Sequence, residues 1–196
     1  MSASTGNSSP ERKSGVFEPG AELTRTNLML LLGLGAAIVL LREVFRIPLG
    51  LPGHHGVEAM ALLATARFCT NHRWGATIAA MGAAFTAAAI GAGHGGLFPP
   101  LYLLPGLVID TGAMLVPTWR RRLLWIPLSA ALGHATKPVM KWFALGGTDV
   151  HVGSMVNGLP YPLATHLLFG FTGALVATLA WRALEKRSGY AAPPGE

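Results

Sequence analysis

Six long apolar stretches follow one another along this chain of 196 residues, and they limit its fold more than any other feature. A helix needs roughly 20 mostly apolar residues to cross the ~30 Å hydrocarbon core of a membrane. The stretches that meet or approach this length are Asn27–Arg46, Gly56–Arg73, Gly75–Ala92, Leu101–Trp119, Leu123–Phe143 and Pro160–Trp181. They predict an all-α, polytopic membrane protein with six transmembrane helices.

The composition excludes several other classes of protein. Charged residues make up 12% of the chain and hydrophobic residues 51%, whereas an average soluble domain carries about 25% charged residues. A soluble enzyme and a disordered regulator are therefore excluded. The single cysteine, Cys69, excludes an internal disulfide and a thiolate metal cluster. The net charge of +6 does not point to nucleic acid, because basic residues in a membrane protein mark its cytoplasmic loops.

The basic residues also predict the orientation and the domain organisation. With the N-terminus inside, eleven of the fifteen lysines and arginines fall on the inner side, where the positive-inside rule places them. These are Arg12, Lys13, Arg25, Arg67, Arg73, Arg120, Arg121, Arg122, Arg182, Lys186 and Arg187. We therefore expect a cell-membrane protein with cytoplasmic termini. We expect residues 1–26 to form a disordered cytoplasmic arm, residues 27–184 the transmembrane domain and residues 185–196 a cytoplasmic tail.

The three outer loops are rich in glycine, proline and histidine. Their sequences are IPLGLPGHHG, GHGGLFPP and LGGTDVHVGSMVNGLPYP, and they contain His54, His55, His94 and Asn157. Function concentrates on loops that a rigid scaffold positions, so we expect these loops to form the lid of a site. The alternative is that they only connect helices.

Ionisable side chains inside the predicted spans indicate a site beneath these loops. Charged groups in a bilayer are costly and usually face the interior of the bundle. The candidates are Glu58, Asp110, His134, Lys137, Lys141 and His166, and the three on the fifth span share one helical face. They predict a polar cavity open to the outside. Alternatively, Asp110 only pairs with Lys137 or His134 to hold two helices together.

No motif for catalysis or for cofactor binding is as clear in the sequence as the pattern that indicates a ligand cavity. The sequence contains no G-x-S-x-G elbow and no Walker motif, so we expect neither an enzyme nor a nucleotide site of its own. The histidines are suitable metal ligands, but no HxxxH or HExxH spacing occurs. His134 and His166 are the one candidate pair for haem. No cofactor is expected, and a metal or haem site stays an alternative.

The third span carries small residues on nearly every face. Ala79, Ala83 and Ala87 continue a small-xxx-small pattern, and Gly33 and Ala37 form a shorter one in the first span. Such faces let helices approach closely in lipid. They predict docking of a partner subunit, with packing inside the bundle as the alternative.

This arrangement resembles the S component of energy-coupling factor (ECF) transporters. The resemblance rests on six spans with both ends inside, on GATIAAMG at 75–82, and on YLLPGLVID at 102–110, and it covers residues 27–184. It implies a binding subunit for a vitamin, a vitamin precursor or a metal ion. Its partners would be a transmembrane coupling protein and two ATPase subunits. The docking motif of that family would fall on Gly33 and Ala37. The cobalt and nickel branch is disfavoured, because the chain begins Met1-Ser2 without the Met-His pair of that branch.

We therefore expect a subunit that captures a small, polar ligand, neutral or anionic, for an importer. Lys137, Lys141, His134 and His166 would hold the ligand, with acceptors and a ring from Asp110, Glu58 and Tyr102. The alternatives are an accessory or scaffold membrane subunit of a larger complex, and a metal- or haem-binding membrane protein.

Overall fold

The computed structural model describes residues 22–45, 51–92, 98–116, 119–144 and 158–187 of the chain, and within these ranges it is all-helical, without strands. The helices are α1 (Arg25–Val44), α2 (Gly56–Phe68), α3 (Gly75–Ala89), α4 (Phe98–Met114), α5 (Trp119–Ala144) and α6 (Pro160–Arg187). Each falls on one of the six predicted stretches, so the predicted all-α class is confirmed for this part of the chain. Most of the predicted arm, and residues 188–196 of the tail, lie outside it.

Local signals explain where the helices begin and end. Thr24 caps α1, since its hydroxyl accepts a hydrogen bond from the backbone N–H of Asn27 at 3.2 Å. Gly91 follows α3 with φ +66°, a conformation that stops a helix and favours glycine. α2 ends at Phe68, five residues before the predicted boundary at Arg73. The intervening turn is closed by Thr70, whose hydroxyl accepts from the backbone N–H of His72 at 3.0 Å.

α2 is the central helix of the bundle. Helices α1, α3, α4, α5 and α6 contact one another in that order, and α2 contacts all five. None of the residues of α2 is exposed. Close approach depends on glycine: a Cβ on Gly173 of α6 would collide with the backbone of Val57 in α2. A 13-residue helix can therefore sit in the middle of the bundle without presenting a long apolar surface of its own.

The helices alternate in direction and so define two ends. We call the end where α1, α3 and α5 finish and α2, α4 and α6 begin the loop end. There Arg42, at the end of α1, bonds to Tyr102, near the start of α4. The opposite end holds the turn 69–74, and we call it the turn end. There Phe68, at the end of α2, stacks on Trp181, late in α6, with ring centroids 5.6 Å apart.

Two helices in the described part of the chain, α1 and α6, are long and apolar enough to cross a membrane. Only 22% and 28% of their apolar windows are buried inside the protein. α3 and residues Pro100–Met114 of α4 are apolar but shorter. Length and composition thus indicate membrane association through two helices, and the predicted six spans stay a prediction.

Candidate functional site

The loop end brings most of the predicted site residues together around one cavity. The cavity has a volume of about 330 Å³, within the size range of small-molecule sites. It is lined by Leu51, Pro52, Gly53, His54, His55, Leu101, Lys137, Pro138, Lys141 and His166. Glu58, Tyr102 and His134 contact these lining residues directly. Two further predicted lid residues, His94 and Asn157, lie outside the described residues.

The predicted face of α5 forms one wall of the cavity. His134 is buried, Lys137 is half-buried, and Lys141 is exposed near the end of the helix. Residues at this spacing lie one above another on a helix. The face therefore rises from the interior of the bundle to the surface at the loop end, with a positive charge at each of its two upper positions.

A pair of histidines lies at the base of the cavity. The rings of His134 and His166 stack, with centroids 4.6 Å apart and an angle of 29° between their planes. His134 Nε2–H donates to the carbonyl of Gly53 at 3.1 Å, and His166 Nδ1–H donates to the carbonyl of Pro162 at 2.7 Å. These bonds place the proton of each ring, because a carbonyl oxygen only accepts.

The segment before α2 packs directly on these two rings. Gly53 has φ +79°, and a Cβ there would lie 2.6 Å from the ring of His166. A Cβ on Gly56 would collide with the ring of His134. Both glycines therefore serve close approach, and the first also serves a left-handed turn. The glycine-rich loop is thus held against the histidines, as expected of a positioned loop.

His55 and Glu58 form a local pair at the start of α2. Their Nδ1 and Oε1 atoms lie 2.7 Å apart, and both side chains are about one-third exposed. The ring of His54 stacks on that of His55 with centroids 4.0 Å apart. His54 Nδ1–H donates to the carbonyl of Leu51 at 2.7 Å. Glu58 is therefore engaged beside the cavity and does not line it.

Tyr102 connects the cavity to α1 through a residue that the sequence analysis did not propose. Arg42 Nη1–H donates to the Tyr102 hydroxyl at 3.2 Å, and Lys137 Nζ lies 5.7 Å from the centroid of the tyrosine ring. The second contact is a cation–π interaction. Arg42 could be counted from the sequence only as an outer basic residue, since its partner depends on how α1 is rotated.

Asp110 lies away from this cluster, and its predicted place in the outer cavity needs correction. Its carboxylate accepts hydrogen bonds from the N–H of Ala76 at 3.2 Å and from the N–H and hydroxyl of Thr77 at 2.7 Å each. Its Oδ1 also lies 3.5 Å from Nε of Arg67. Asp110 is four residues from the C-terminal end of α4 and therefore belongs to the turn end. It pairs with neither Lys137 nor His134.

Asp110 lies at the turn end because the first backbone N–H groups of α3 need a hydrogen-bond acceptor. The first N–H groups of a helix have no partner inside the helix and carry partial positive charge. Asp110 satisfies two of them, and Arg67, whose side chain is 3% exposed, balances the remaining charge. Arg67 and Thr77 are partners of Asp110 that the sequence analysis did not propose. The predicted fourth stretch ended at Trp119 and left Asp110 in its middle, whereas α4 ends at Met114, one turn after Asp110.

The predicted docking residues divide into two groups. Ala79, Ala83 and Ala87 are at most 1% exposed, and a Cβ on Gly35 of α1 would collide with the backbone at Ala79. This face of α3 is therefore covered by α1, and its predicted contact with a partner subunit is wrong. Gly33 is exposed, with open space where a Cβ would stand, and Ala37 is half-buried.

A metal or haem site is not evident in the described part of the chain. Within those ranges no three His, Cys, Asp or Glu side chains form a group that could hold a metal ion. Haem iron needs a nitrogen from each axial imidazole on opposite sides of the ring plane. The rings of His134 and His166 instead stack face to face, with no space for a macrocycle between them.

Comparisons with protein-family models, curated proteins and solved structures found no match to this chain. The class of protein is therefore defined by the fold and the site alone. In its described ranges the protein is all-helical, with two helices long and apolar enough to cross a membrane and a basic cavity at one end.

Proposed function

We propose that this chain is the membrane-embedded substrate-capture subunit of an ECF-type importer for a vitamin-like small molecule. In this proposal ATP hydrolysis resides in two partner subunits, joined through a transmembrane coupling protein. The observation that carries the proposal is the cavity at the loop end, where polar side chains from the segment before α2, from α5 and from α6 meet. A pocket with a few convergent polar groups is typical of a ligand site.

The apolar surface supports placing all six helices in the membrane. Every helix except the central α2 exposes large hydrophobic side chains, among them Leu40, Phe85, Leu107, Leu132 and Leu168. A soluble monomer rarely exposes contiguous apolar surface of this extent. In lipid the same surface is the normal exterior. The distribution of basic residues in the sequence supports a cytoplasmic location for the turn end and both termini in this proposal.

The exposed face of α1 supports docking of the coupling protein. Met29, Gly33, Leu40 and Val44 are exposed, and they recur at intervals of about one or two helical turns. Gly33 leaves a shallow gap in this apolar face, which allows a partner helix to approach closely. Gly33 and Ala37 are the positions to which the resemblance assigns docking. Partner contact is therefore proposed for α1 and not for α3.

Native mass spectrometry of the chain purified from its own host in mild detergent tests the proposal. We expect a retained small organic mass and co-purification of subunits with ATPase activity. Gly33→Leu should lose those subunits and keep the small molecule, because the leucine points away from the fold. Ala180→Leu, an exposed position on α6, is the matched control and should keep both.

Two results would contradict the capture proposal. A chain that is empty yet brings down other membrane subunits would indicate the alternative of an accessory or scaffold subunit. A chain that retains neither a small molecule nor an ATPase would reject an importer altogether.

A further inference from the structure

The side chains that line the loop-end cavity share one sign of charge. Two lysines and three histidines line it, and no aspartate or glutamate of the described ranges does so. Arg42 adds a third positive charge beside the cavity, because it bonds to Tyr102, whose ring contacts Lys137. With neutral histidines this end of the bundle still has an excess of positive charge.

The nearby acids do not balance the lysines. Glu58 is engaged by His55, and Glu43, at the end of α1, also has a partner. Neither Lys137 nor Lys141 forms an ion pair with a carboxylate in the described part of the chain. The one polar contact shown for Lys137 is with the face of the Tyr102 ring, which is weaker than contact with an opposite charge.

An unbalanced ammonium group in a membrane protein is costly, and such groups usually face a cavity and pair with another charge. At the turn end the chain neutralises a buried charge itself, because the carboxylate of Asp110 lies 3.5 Å from the guanidinium of Arg67. At the loop end that internal neutralisation is missing among the described residues. Within the described ranges no side chain supplies a matching negative charge to the cavity wall, and a bound ligand can supply it.

We propose that the loop-end cavity binds a small organic anion, with its carboxylate or phosphate group held by Lys137 and Lys141. The inference rests on the proposed capture function and adds the chemical class of the substrate. The cavity volume of about 330 Å³ lies within the range of small-molecule sites. The ring of His166 lines the base of the cavity, below the anionic group.

The test uses the full chain in mild detergent and two readouts. The first is the elemental composition and charge of the mass retained in native mass spectrometry. The second is thermal stabilisation by a panel of small carboxylic acids and phosphate monoesters, each paired with its neutral amide or alcohol. The variants are Lys137→Met and Lys137→Arg, with Lys186→Met as a control at the exposed turn end of α6.

We expect an anionic retained mass and stabilisation by an acid but not by its neutral partner. Lys137→Met should weaken binding by about 30-fold or more, since one partner of a buried charge pair is lost. Lys137→Arg should recover part of this loss, and Lys186→Met should bind as the wild type does.

Each other outcome overturns a defined part of the argument. A neutral or cationic retained mass, or equal stabilisation by both members of a pair, would overturn the anion and leave capture standing. A phospholipid that is retained by the wild type and lost in Lys137→Met would support an anionic group from a lipid head group and overturn capture. No retained mass and no stabilisation would overturn both.

Discussion

The contact between Asp110 and Arg67 gives the sharpest test of how this fold is held together. Asp110 is fully buried and accepts three hydrogen bonds from Ala76 and Thr77. Asp110→Asn replaces one carboxylate oxygen by an NH2 group that donates and cannot accept, so the bonds to that oxygen are lost, and it leaves Arg67 without a counter-charge. Removing one partner of a buried ion pair costs about 3–5 kcal/mol. We expect a loss in that range in the free energy of unfolding.

A double-mutant cycle separates this pair from the rest of the turn end. Arg67→Met should also destabilise the protein, because the carboxylate loses its counter-charge. The double variant should be more stable than the sum of the single losses predicts, by about 1–3 kcal/mol. Unfolding can be followed by tryptophan fluorescence as SDS is titrated into detergent micelles, since the chain has five tryptophans. Glu22→Gln, at an exposed position before α1, should change nothing.

Two results would refute this reasoning. If the two single losses add to within about 0.5 kcal/mol, the side chains do not interact. If Asp110→Asn loses the retained ligand at a temperature where it is still folded, Asp110 belongs to the binding site and not to the turn end.

Two further predictions concern helix contacts. Gly35→Ala should cost about 1–3 kcal/mol in unfolding free energy, because its Cβ meets the backbone of α3 at Ala79, whereas Gly33→Ala at an open position should be neutral. Tyr102→Phe should lower the unfolding free energy by about 1 kcal/mol, since Arg42 loses its 3.2 Å hydrogen bond. The same SDS titration measures these variants. An unchanged midpoint for Gly35→Ala or for Tyr102→Phe would contradict the corresponding prediction.

The helices could be predicted from the sequence because hydropathy along the chain gives the length of each apolar stretch directly. Six apolar stretches predicted six helices, and the positions of the helix starts at Gly56, Gly75 and Pro160 agree with the prediction. The end of α2 was placed too late. The predicted stretch included the polar residues 70–73, which the structure places in a turn closed by Thr70 and Arg67 and not in the helix.

The rotation of each helix about its axis could not be predicted in the same way. A helix in lipid is apolar on all sides, so hydropathy does not mark the face that points inward. Small residues are equally suited to internal and external contacts. For this reason Ala83 was assigned to a partner, although α1 covers it, and Gly33, with the same pattern, lies on the exterior.

The candidate site was partly predictable, because the spacing of charged residues along one helix does not depend on how that helix is rotated about its axis. Lys137 and Lys141 are one turn apart and share the wall of the cavity. The assignment of Asp110 failed for a related reason: a position in the middle of a span does not tell which neighbouring helix supplies the partner. Only packing reveals that the start of α3 and Arg67 surround it.

The two ends of α4 differ in how their charges are paired, which is why we propose ligand binding at one end of the bundle. At the turn end, Asp110 meets a guanidinium and three donors, so this charge is satisfied within the chain. At the loop end, Tyr102 contacts both Arg42 and Lys137. In the described ranges no carboxylate lines the cavity wall to balance these positive charges. A satisfied pair stabilises the fold whether or not a ligand is present. The proposed anion would supply the opposite charge to the cavity wall, and ligand binding should therefore stabilise the loop end more than the turn end.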